Sequence, residues 1–489
     1  MTSSLHFSTF RIRLALLGIV MLPTIVVTGQ TVTDVQQVGE ALNLPSKVCG
    51  ITTVDGTLYC TTDELALRVD ESHGTPSKVE PSRIASLKGV SYAVRNPKNG
   101  MLYYTDKFLF FKSRLRVLSD PAAKKGKATH PGGRDIAIEH PAISGDGRYM
   151  VFSSKANDSR GGKDLYISVS TPNGWSYPRN LDKLNTIGNE TAPTMWGDYL
   201  IFCSDGHSDS YGGTDLYAVK ISVRQTDGES TGSVPEISQG HLQHLPYPFN
   251  SEDDERCAIV KESRTYVVRE GDSTSIGDML YAYDCTPDVV SISGVVRDKR
   301  GHPQPRTQVL LYTDGIKTNE TTTDGNGRYN ASLRRDRTFD LAFSKVGYGN
   351  ERRTIETRRT SDKDLIETHT EDVELFSFEP NQYIELQELF GDNASIELTK
   401  EGRAKLGPIT GFLTANPGVP VQITVYCGLE NDKEFNRILA DRRAKSIGEY
   451  LHSQVPAAQN VTVTSGGAFD TSKKSIKLND LTAIKLGVF

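Results

Sequence analysis

A repeat with a period of about 50 residues constrains the fold of this chain more than any other feature of its sequence. Residues 140–166 and residues 192–217 share one order of features: an Asp-Gly or Gly-Asp turn, a strand of alternating large residues, a glycine-rich turn and a second strand that begins Asp-Leu-Tyr. Turn residues between runs of period two are typical of β-hairpins. The repeat therefore predicts several copies of one small antiparallel sheet.

Weaker copies of this repeat flank the two clear ones, at residues 54–59, 91–104 and 253–281. Five units of four short strands each are expected, although six units also fit the period, and such units are typical of a radial β-propeller. The two clear copies resemble the TolB-type propeller repeat, with its Pro…Asp-Gly…Phe-Ser-Ser…Gly-Gly-x-Asp-Leu-Tyr pattern. The resemblance implies a propeller over residues 40–285. The Gly-Gly and Asp residues of each copy are expected to build a turn rather than a metal site.

The pattern changes at about residue 288. Short β-rich runs, separated by about 8–12 residues and punctuated by Asp-Gly turns, predict a small antiparallel β-sandwich over residues 288–375. Three short motifs of this region resemble those of the carboxypeptidase regulatory-like domain. They are Gly294-Val-Val-x-Asp298, Thr323-Asp-Gly-Asn-Gly-Arg-Tyr329 and Gly347-Tyr348. In that family the module has a structural or interaction role, so the resemblance implies no catalysis here.

Residues 380–489 mix helical and strand patterns and predict an α+β domain. Thr399 is a suitable N-cap for a first helix, which Gly407-Pro408 is expected to interrupt. Residues 421–427 alternate as a strand, a second helix follows, and a closing strand is expected near 476–486. The apolar stripes of the two helices are Leu406, Ile409 and Leu413 in the first and Phe435, Ile438, Leu439, Ile447, Tyr450 and Leu451 in the second.

The second helix reads Asn-Arg-Ile-Leu-Ala-Asp-Arg-Arg-Ala over residues 436–444. This motif resembles the Asn-x-x-Leu-Ser-x-x-Arg-Ala signature of the OmpA-like domain, with Ala440 in place of Ser. The resemblance implies binding to the diaminopimelate stem of peptidoglycan through Asn436 and Arg443. These two residues are about two helical turns apart and are expected on one face. Arg can hold a carboxylate with two parallel hydrogen bonds, and Asn adds neutral ones.

Two positions depart from the OmpA-like pattern. Gly428 stands where the family has an Asp that pairs with the ammonium group of the ligand, and Asn479-Asp-Leu481 stands in place of Asn-Arg-Arg. Glu430 and Asp432 are the nearest carboxylates that could replace the missing one. Losing one partner of a buried ionic contact costs about 3 kcal/mol or more, enough to abolish weak binding. Arg443 is therefore either a ligand-binding residue or a salt-bridge residue on a domain that no longer binds peptidoglycan.

The first 29 residues are predicted to be a secretory signal peptide. Arg11 and Arg13 precede an apolar run at residues 14–27, and the short residues Thr28 and Gly29 follow. A retained membrane anchor is the alternative, and no Cys follows closely enough to be a lipoprotein attachment site. Export makes disulfides possible, and the hairpin spacing makes Cys49–Cys60 and Cys257–Cys285 plausible pairs. Cys203 and Cys427 lie in apolar strands and are expected to be buried thiols.

Charge and motifs narrow the function. A net charge of −5 without a basic cluster argues against a nucleic-acid binder. Nucleophile elbow, phosphate-binding and His-Glu-x-x-His motifs are missing from the sequence, and His241-Leu-Gln-His244 is expected in a solvated loop, so neither an enzyme nor a metal or cofactor site is predicted.

The order of the three modules resembles PorE-type proteins of Bacteroidota. The resemblance implies a scaffold that is periplasmic and associated with the outer membrane, and that links outer-membrane type IX secretion machinery to peptidoglycan. The alternative is a divergent paralogue whose OmpA-like domain no longer binds peptidoglycan and whose propeller binds a protein or glycan partner.

Overall fold

The computed structural model describes residues 31–488, except for 63–64, 73–74, 88–89, 109–111, 121–122, 134–135, 225–235, 274, 360–363, 377–381, 387–388, 392–393, 429–431, 458–459 and 469–481. The predicted signal peptide, residues 1–29, lies outside the described residues. The described chain is mostly β, with several sheets and more than one domain, which confirms the predicted fold class at this level. Across the described residues, no helix combines the length and the apolar character needed to cross a membrane.

Five antiparallel sheets follow one another along residues 42–283, which we call the five-sheet domain. They are preceded by β1 (Thr31–Thr33) and β2 (Leu42–Asn43), of which β2 joins the last of the five sheets. The first sheet contains β3 (Gly50–Val54), β4 (Thr57–Thr61), β5 (Ala66–Ser72) and β6 (Thr75–Ser82). The second contains β7 (Val90–Arg95), β8 (Leu102–Phe108), β9 (Lys112–Leu118) and β10 (Lys127–Ala128). Short helical turns lie at Ile84–Ser86 and Pro131–Gly133.

The other three sheets contain the two clear copies of the sequence repeat and a weaker one. The third is built from β11 (Glu139–Ile143), β12 (Tyr149–Ser154), β13 (Asp164–Thr171), β14 (Gly174–Trp175) and β15 (Arg179–Asn180). The fourth is built from β16 (Glu190–Trp196), β17 (Tyr199–Ser204), β18 (Asp215–Arg224), β19 (Glu236–Gln239) and β20 (Gln243–His244). The fifth is built from β21 (Glu255–Lys261), β22 (Arg264–Arg269) and β23 (Met279–Tyr283), together with β2.

Neighbouring sheets of the five-sheet domain share hydrophobic cores. Val151 of the third sheet, for example, packs in one core with Phe202 of the fourth. The fifth sheet packs on the first in the same manner, and Val268 and Leu58 belong to that core. The first strands of consecutive sheets lie side by side, and β21 of the last sheet lies beside β3 of the first.

The paired glycines of the repeat build turns, as expected. A Cβ atom at Gly161 would overlap the carbonyl of Ile187, in the segment that leads into the fourth sheet. One at Gly212 would meet the carbonyl of Asp253, in the segment that leads into the fifth sheet. One at Gly277 would meet the carbonyl of Leu44, in the segment that leads into the first. Only residues without a side chain allow these close backbone approaches.

The sandwich that follows consists of two facing sheets. Its strands are β24 (Val289–Asp298), β25 (Gln308–Thr313), β26 (Ile316–Thr322), β27 (Arg328–Arg334), β28 (Thr338–Ser344), β29 (Glu351–Glu356), β30 (Glu367–Thr370) and β31 (Val373–Leu375). Strand β24 pairs with β27, β30 and β31, and β1 adds to this sheet at β27. Alternate residues point inward, so that Ile292, Leu311 and Leu341 meet in a single core.

The C-terminal part combines a four-stranded sheet with helices. Its strands are β32 (Gln382–Leu386), β33 (Val421–Cys427), β34 (Val461–Ala468) and β35 (Thr482–Val488), and its helices are α1 (Lys400–Lys405), α2 (Gly407–Ala415) and α3 (Lys433–Gln454). The sheet order is β32-β35-β33-β34, and α3 connects the parallel pair β33 and β34. Thr399 caps α1, as predicted, by accepting a hydrogen bond from the Gly402 amide. The predicted interruption separates α1 from α2, and Leu406, Ile409 and Leu413 are buried.

The predicted apolar stripe of the second helix is wrong at two positions. Phe435 and Ile438 are exposed instead of facing the core with Leu439, Ile447 and Leu451. Successive residues are about 100° apart around a helix, so Phe435 and Ile438 lie beside the buried face, and the small Ala440 and Ala444 occupy its inner positions.

The predicted disulfides are also wrong, since each of the six cysteines is a thiol. Cys257 lies in the core between the fifth and first sheets, and Cys285 packs against a different core. Cys60 pairs across the ladder with Ile51, whereas the Cys49 thiol donates to the Thr61 carbonyl. A disulfide needs two Cβ atoms that face each other closely, which hairpin spacing alone does not ensure. Cys203 and Cys427 are buried, as predicted.

Candidate functional site

The candidate site lies where β33 ends and α3 begins. Strand β33 stops at Cys427, and α3 starts after Asp432, whose carboxylate accepts hydrogen bonds from the amides of Glu434 and Phe435. This N-cap satisfies amides that otherwise have no partner at a helix start. Asp432, one of the two carboxylates considered as a replacement, therefore caps the helix through its Oδ1 atom. Glu430, the other candidate replacement, lies outside the described residues.

Asn436 and Arg443 are both buried on the inner face of α3. Leu439 and Ala440 lie between them and pack against Cys427. Ala440, which replaces the Ser of the family signature, is fully buried in this contact. The helix thus brings the two predicted site residues to the same side, next to the end of β33.

Arg443 is held by a segment that the sequence did not single out. Its Nε donates a hydrogen bond to the Ser395 carbonyl at 3.0 Å, and its guanidinium carbon lies 4.2 Å from the centre of the Phe390 ring. A cation over an aromatic face is attracted by the ring quadrupole. Only 2% of Arg443 is exposed. The segment that contains Phe390 and Ser395 therefore covers this guanidinium.

The Cys427 thiol is the other group that Arg443 influences. Burial raises the pKa of Cys427, while the charge of Arg443 and a hydrogen bond from it oppose that rise. The thiol stays protonated near neutral pH and adds no negative charge to the site. Gly428, the next residue, is buried and adds none either. The described part of the site therefore contains one buried cation, Arg443, and no carboxylate at position 428.

Sequence reasoning missed Phe390, Ser395 and Cys427 as parts of this site. The available signal was weak: an apolar Leu389-Phe390 pair followed by turn-forming residues. The word Asn479-Asp-Leu481 lies outside the described residues. Across the described chain, no group of three or more His, Cys, Asp or Glu residues is arranged to hold a metal ion.

Comparisons with known proteins identify one part of the chain. Residues 291–367 match the family model of the carboxypeptidase regulatory-like domain, so the chain contains this domain, as predicted. No curated protein matches the chain.

Among solved structures, the chain is similar to catechol 1,2-dioxygenase from Acinetobacter sp. ADP1, with 12% identity over 19% of this chain and 53% of that one, at a TM-score of 0.16. It is also similar to chlorocatechol 1,2-dioxygenase from Pseudomonas putida, with 11% identity over 18% of this chain and 60% of that one, at a TM-score of 0.16. The matches thus span somewhat more than half of those enzymes, and likeness at this level supports no argument about function.

Proposed function

We propose that this chain is a non-enzymatic scaffold protein of a Gram-negative envelope, located in the periplasm and associated with the outer membrane. It links an outer-membrane assembly, similar to type IX secretion machinery, to peptidoglycan. In this proposal residues 40–285 form a five-bladed propeller, and residues 380–489 form an OmpA-like domain. The observation that carries it is the placement of Asn436 and Arg443, which lie together on the inner face of α3 beside the end of β33.

The propeller part of the proposal is supported by the way the five sheets meet. The junction between the fifth sheet and the first has its own shared core and its own glycine contact, like the junctions among the later sheets. The N-terminal strand β2 (Leu42–Asn43) supplies the outer strand of the fifth sheet. Both features favour radial closure, because a ring needs its last sheet to join its first.

The scaffold part of the proposal is supported by buried polar links between the modules. The Gln243 side chain accepts from the amides of Leu365 and Ile366 and donates to the Ile366 carbonyl, which joins the five-sheet domain to the sandwich. The Asn416 side chain accepts from the Gly347 amide and donates to the Tyr348 carbonyl, which joins the sandwich to the C-terminal part. Buried hydrogen bonds of this kind hold modules in a fixed arrangement, as a scaffold requires.

A second candidate function is favoured by a specific observation. Arg443 already has the Ser395 carbonyl and the Phe390 ring as partners, and Gly428 adds no carboxylate. A domain in this state does not bind peptidoglycan, and the chain then acts through a protein or glycan partner of its propeller.

Sedimentation with insoluble peptidoglycan tests the two candidates. The chain without its predicted signal peptide is compared with Arg443→Ala and with Arg437→Ala. Arg437 lies on the same helix but is exposed and pairs with Glu434 and Asp441, which makes it the matched control. For a wall anchor, the unsubstituted chain and Arg437→Ala pellet with the wall, and Arg443→Ala loses at least about tenfold in binding.

A second variant, Gly428→Asp, restores the carboxylate of the family pattern. It is expected to strengthen wall binding, since it places an anion where the ligand ammonium belongs. If neither the unsubstituted chain nor Gly428→Asp sediments with the wall, while both remain folded by circular dichroism, the anchor role is ruled out and the second candidate stands.

A further inference from the structure

One end of the five-sheet domain carries exposed apolar side chains on three successive loops. Ile187, on the segment that enters the fourth sheet, is 85% exposed. Tyr211, between β17 and β18, is 53% exposed, and Ile276, between β22 and β23, is 84% exposed. In an antiparallel sheet the start of the first strand and the end of the second lie at the same end. The three side chains therefore belong to one end of the domain.

Hydrogen bonds tie these loops into one continuous surface. The Asn189 amide donates to the Asp205 carboxylate at 2.6 Å, which joins the Ile187 segment to the loop of Tyr211. The Gly213 amide donates to the Asp254 carboxylate at 3.1 Å, and the Glu270 amide donates to the Asp254 carbonyl at 2.9 Å. We call this surface the loop face, formed by residues 186–189, 205–214, 251–254, 270–273 and 275–278.

The Tyr211 ring is held in place from beneath. Its centre lies 4.4 Å from that of the His244 ring, and His244 Nε2 lies 2.6 Å from the buried Asp215 carboxylate. His244 belongs to β20, so the expectation that it occupies a solvated loop is wrong. A half-exposed aromatic ring that is fixed in this way can contact a partner with little loss of conformational entropy.

The preceding sheet shows that folding does not require this arrangement. There, Asn180 takes the place of His244 and donates to Asp164 at 2.7 Å. Arg160 takes the place of Tyr211, and its amide also donates to Asp164. The same hydrogen bonds to the buried Asp thus form with an arginine in one sheet and with a tyrosine in the next. Tyr211 can therefore be replaced without disturbing these hydrogen bonds.

The charge of the loop face indicates what can bind there. Its segments 205–214, 251–254 and 270–278 contain no lysine or arginine in the sequence. The acidic residues exposed on it are Asp205, Asp209, Glu252, Asp253, Glu270 and Asp272. The nearby Arg256 lies 2.9 Å from the Glu270 carboxylate and 3.9 Å from the Asp278 carboxylate.

At the opposite end of the sheets, two acidic turn residues have arginine partners. Asp55 pairs with Arg95, and Asp146 pairs with Arg148. The loop face therefore combines apolar side chains with an excess of acidic over basic residues.

We propose that the loop face binds a protein segment in which lysine or arginine side chains alternate with apolar ones. The cationic groups would meet the acidic loops and the face of the Tyr211 ring, and the apolar groups would cover Ile187 and Ile276. Nucleic acid and anionic lipid surfaces are repelled by the same charge. This inference goes beyond the proposed wall anchor and does not depend on Arg443.

Fluorescence anisotropy with a labelled peptide of repeated Lys-Leu-Gly units tests the proposal on the chain that lacks the predicted signal peptide. Saturable binding is expected, and it should weaken as salt is added. Tyr211→Arg, which reproduces the residue of the preceding sheet, and Ile276→Ser should each raise the Kd at least about tenfold. The control Ile316→Ser changes an exposed isoleucine of the sandwich and should leave the Kd unchanged.

Three outcomes would overturn the proposal. They are an absence of saturable binding, equal binding of a Glu-Leu-Gly peptide, and equal weakening by Ile316→Ser. Arg443→Ala should bind the peptide normally even if it loses wall binding. The failure of one proposal is thereby kept separate from the failure of the other.

Discussion

The Gln243 side chain offers the sharpest test of the claim that the modules form a fixed scaffold. It is buried and makes three hydrogen bonds to the sandwich: 2.9 Å from the Leu365 amide, 3.2 Å from the Ile366 amide and 3.2 Å to the Ile366 carbonyl. Each contributes about 1 kcal/mol net, so Gln243→Ala should make local opening of this contact easier by about 3 kcal/mol. A change of that size is roughly 100-fold in the opening equilibrium.

Hydrogen exchange measured by mass spectrometry is the suitable assay, because unfolding of a multidomain chain is not two-state. Gln243→Ala should accelerate exchange at the amides of Leu365 and Ile366 by about 100-fold, while the core strands of both modules stay protected. The control Gln308→Ala removes an exposed glutamine whose side chain donates a hydrogen bond to Glu320, and it should leave those amides unchanged. Unchanged exchange at residues 365 and 366 in Gln243→Ala would refute the reasoning.

Three further predictions concern the five-sheet domain and its thiols. Gly161→Ala should lower the free energy of unfolding by about 1–3 kcal/mol because its methyl group meets the Ile187 carbonyl, whereas Gly145→Ala, which has open space, should leave the melting temperature unchanged. Burial raises the pKa of Cys60 to about 12, so iodoacetamide at about pH 8 should spare it in the folded chain. Unfolding without a reductant should expose six reactive thiols, and fewer would contradict the absence of disulfides. Burial raises the pKa of Glu255 above its ordinary value of 4.5, and the buried Arg269 partner opposes that rise without cancelling it, so the folded state releases this proton at a higher pH than the unfolded chain does. Stability should fall as the pH rises above 4.5 through the raised pKa of the folded state, and Glu255→Gln should flatten the dependence of melting temperature on pH.

The sequence allowed the repeated sheets to be predicted because their signals are local. Turn residues, alternation and Asp-Leu-Tyr words recur at a constant period, and each describes a hairpin only a few residues long. The N-cap at Thr399 and the interruption at Gly407-Pro408 were also predicted correctly, because each depends on a few neighbouring residues. Contacts such as Gln243 with Leu365 could not be predicted, because they join residues more than 100 positions apart without any periodic pattern.

The candidate site was predictable in part for the same reason. Asn436 and Arg443 are two turns apart on one helix, so spacing alone places them on one face. Phe390 and Ser395 hold the guanidinium from a segment about 50 residues earlier, and nothing in the intervening sequence indicates that approach. The disulfide pairing was predicted wrongly because spacing in a hairpin does not determine which way two Cβ atoms point.

The third and fourth sheets show how a repeat can keep its structure while its surface diverges. Asn185 and Asn250 make the same pair of hydrogen bonds to the backbone of Leu165 and Leu216, so the strand entry is identical in the two sheets. The Asp that follows the glycine turn is also retained, as Asp164 and Asp215. In each sheet its carboxylate accepts a hydrogen bond from the backbone amide four residues earlier. Two positions next to this acid differ, and there the fourth sheet has Tyr211 and His244 where the third has Arg160 and Asn180. Because the backbone hydrogen bonds are satisfied in both sheets, the repeat tolerates different side chains at these positions, as the proposed recognition of a partner by Tyr211 requires.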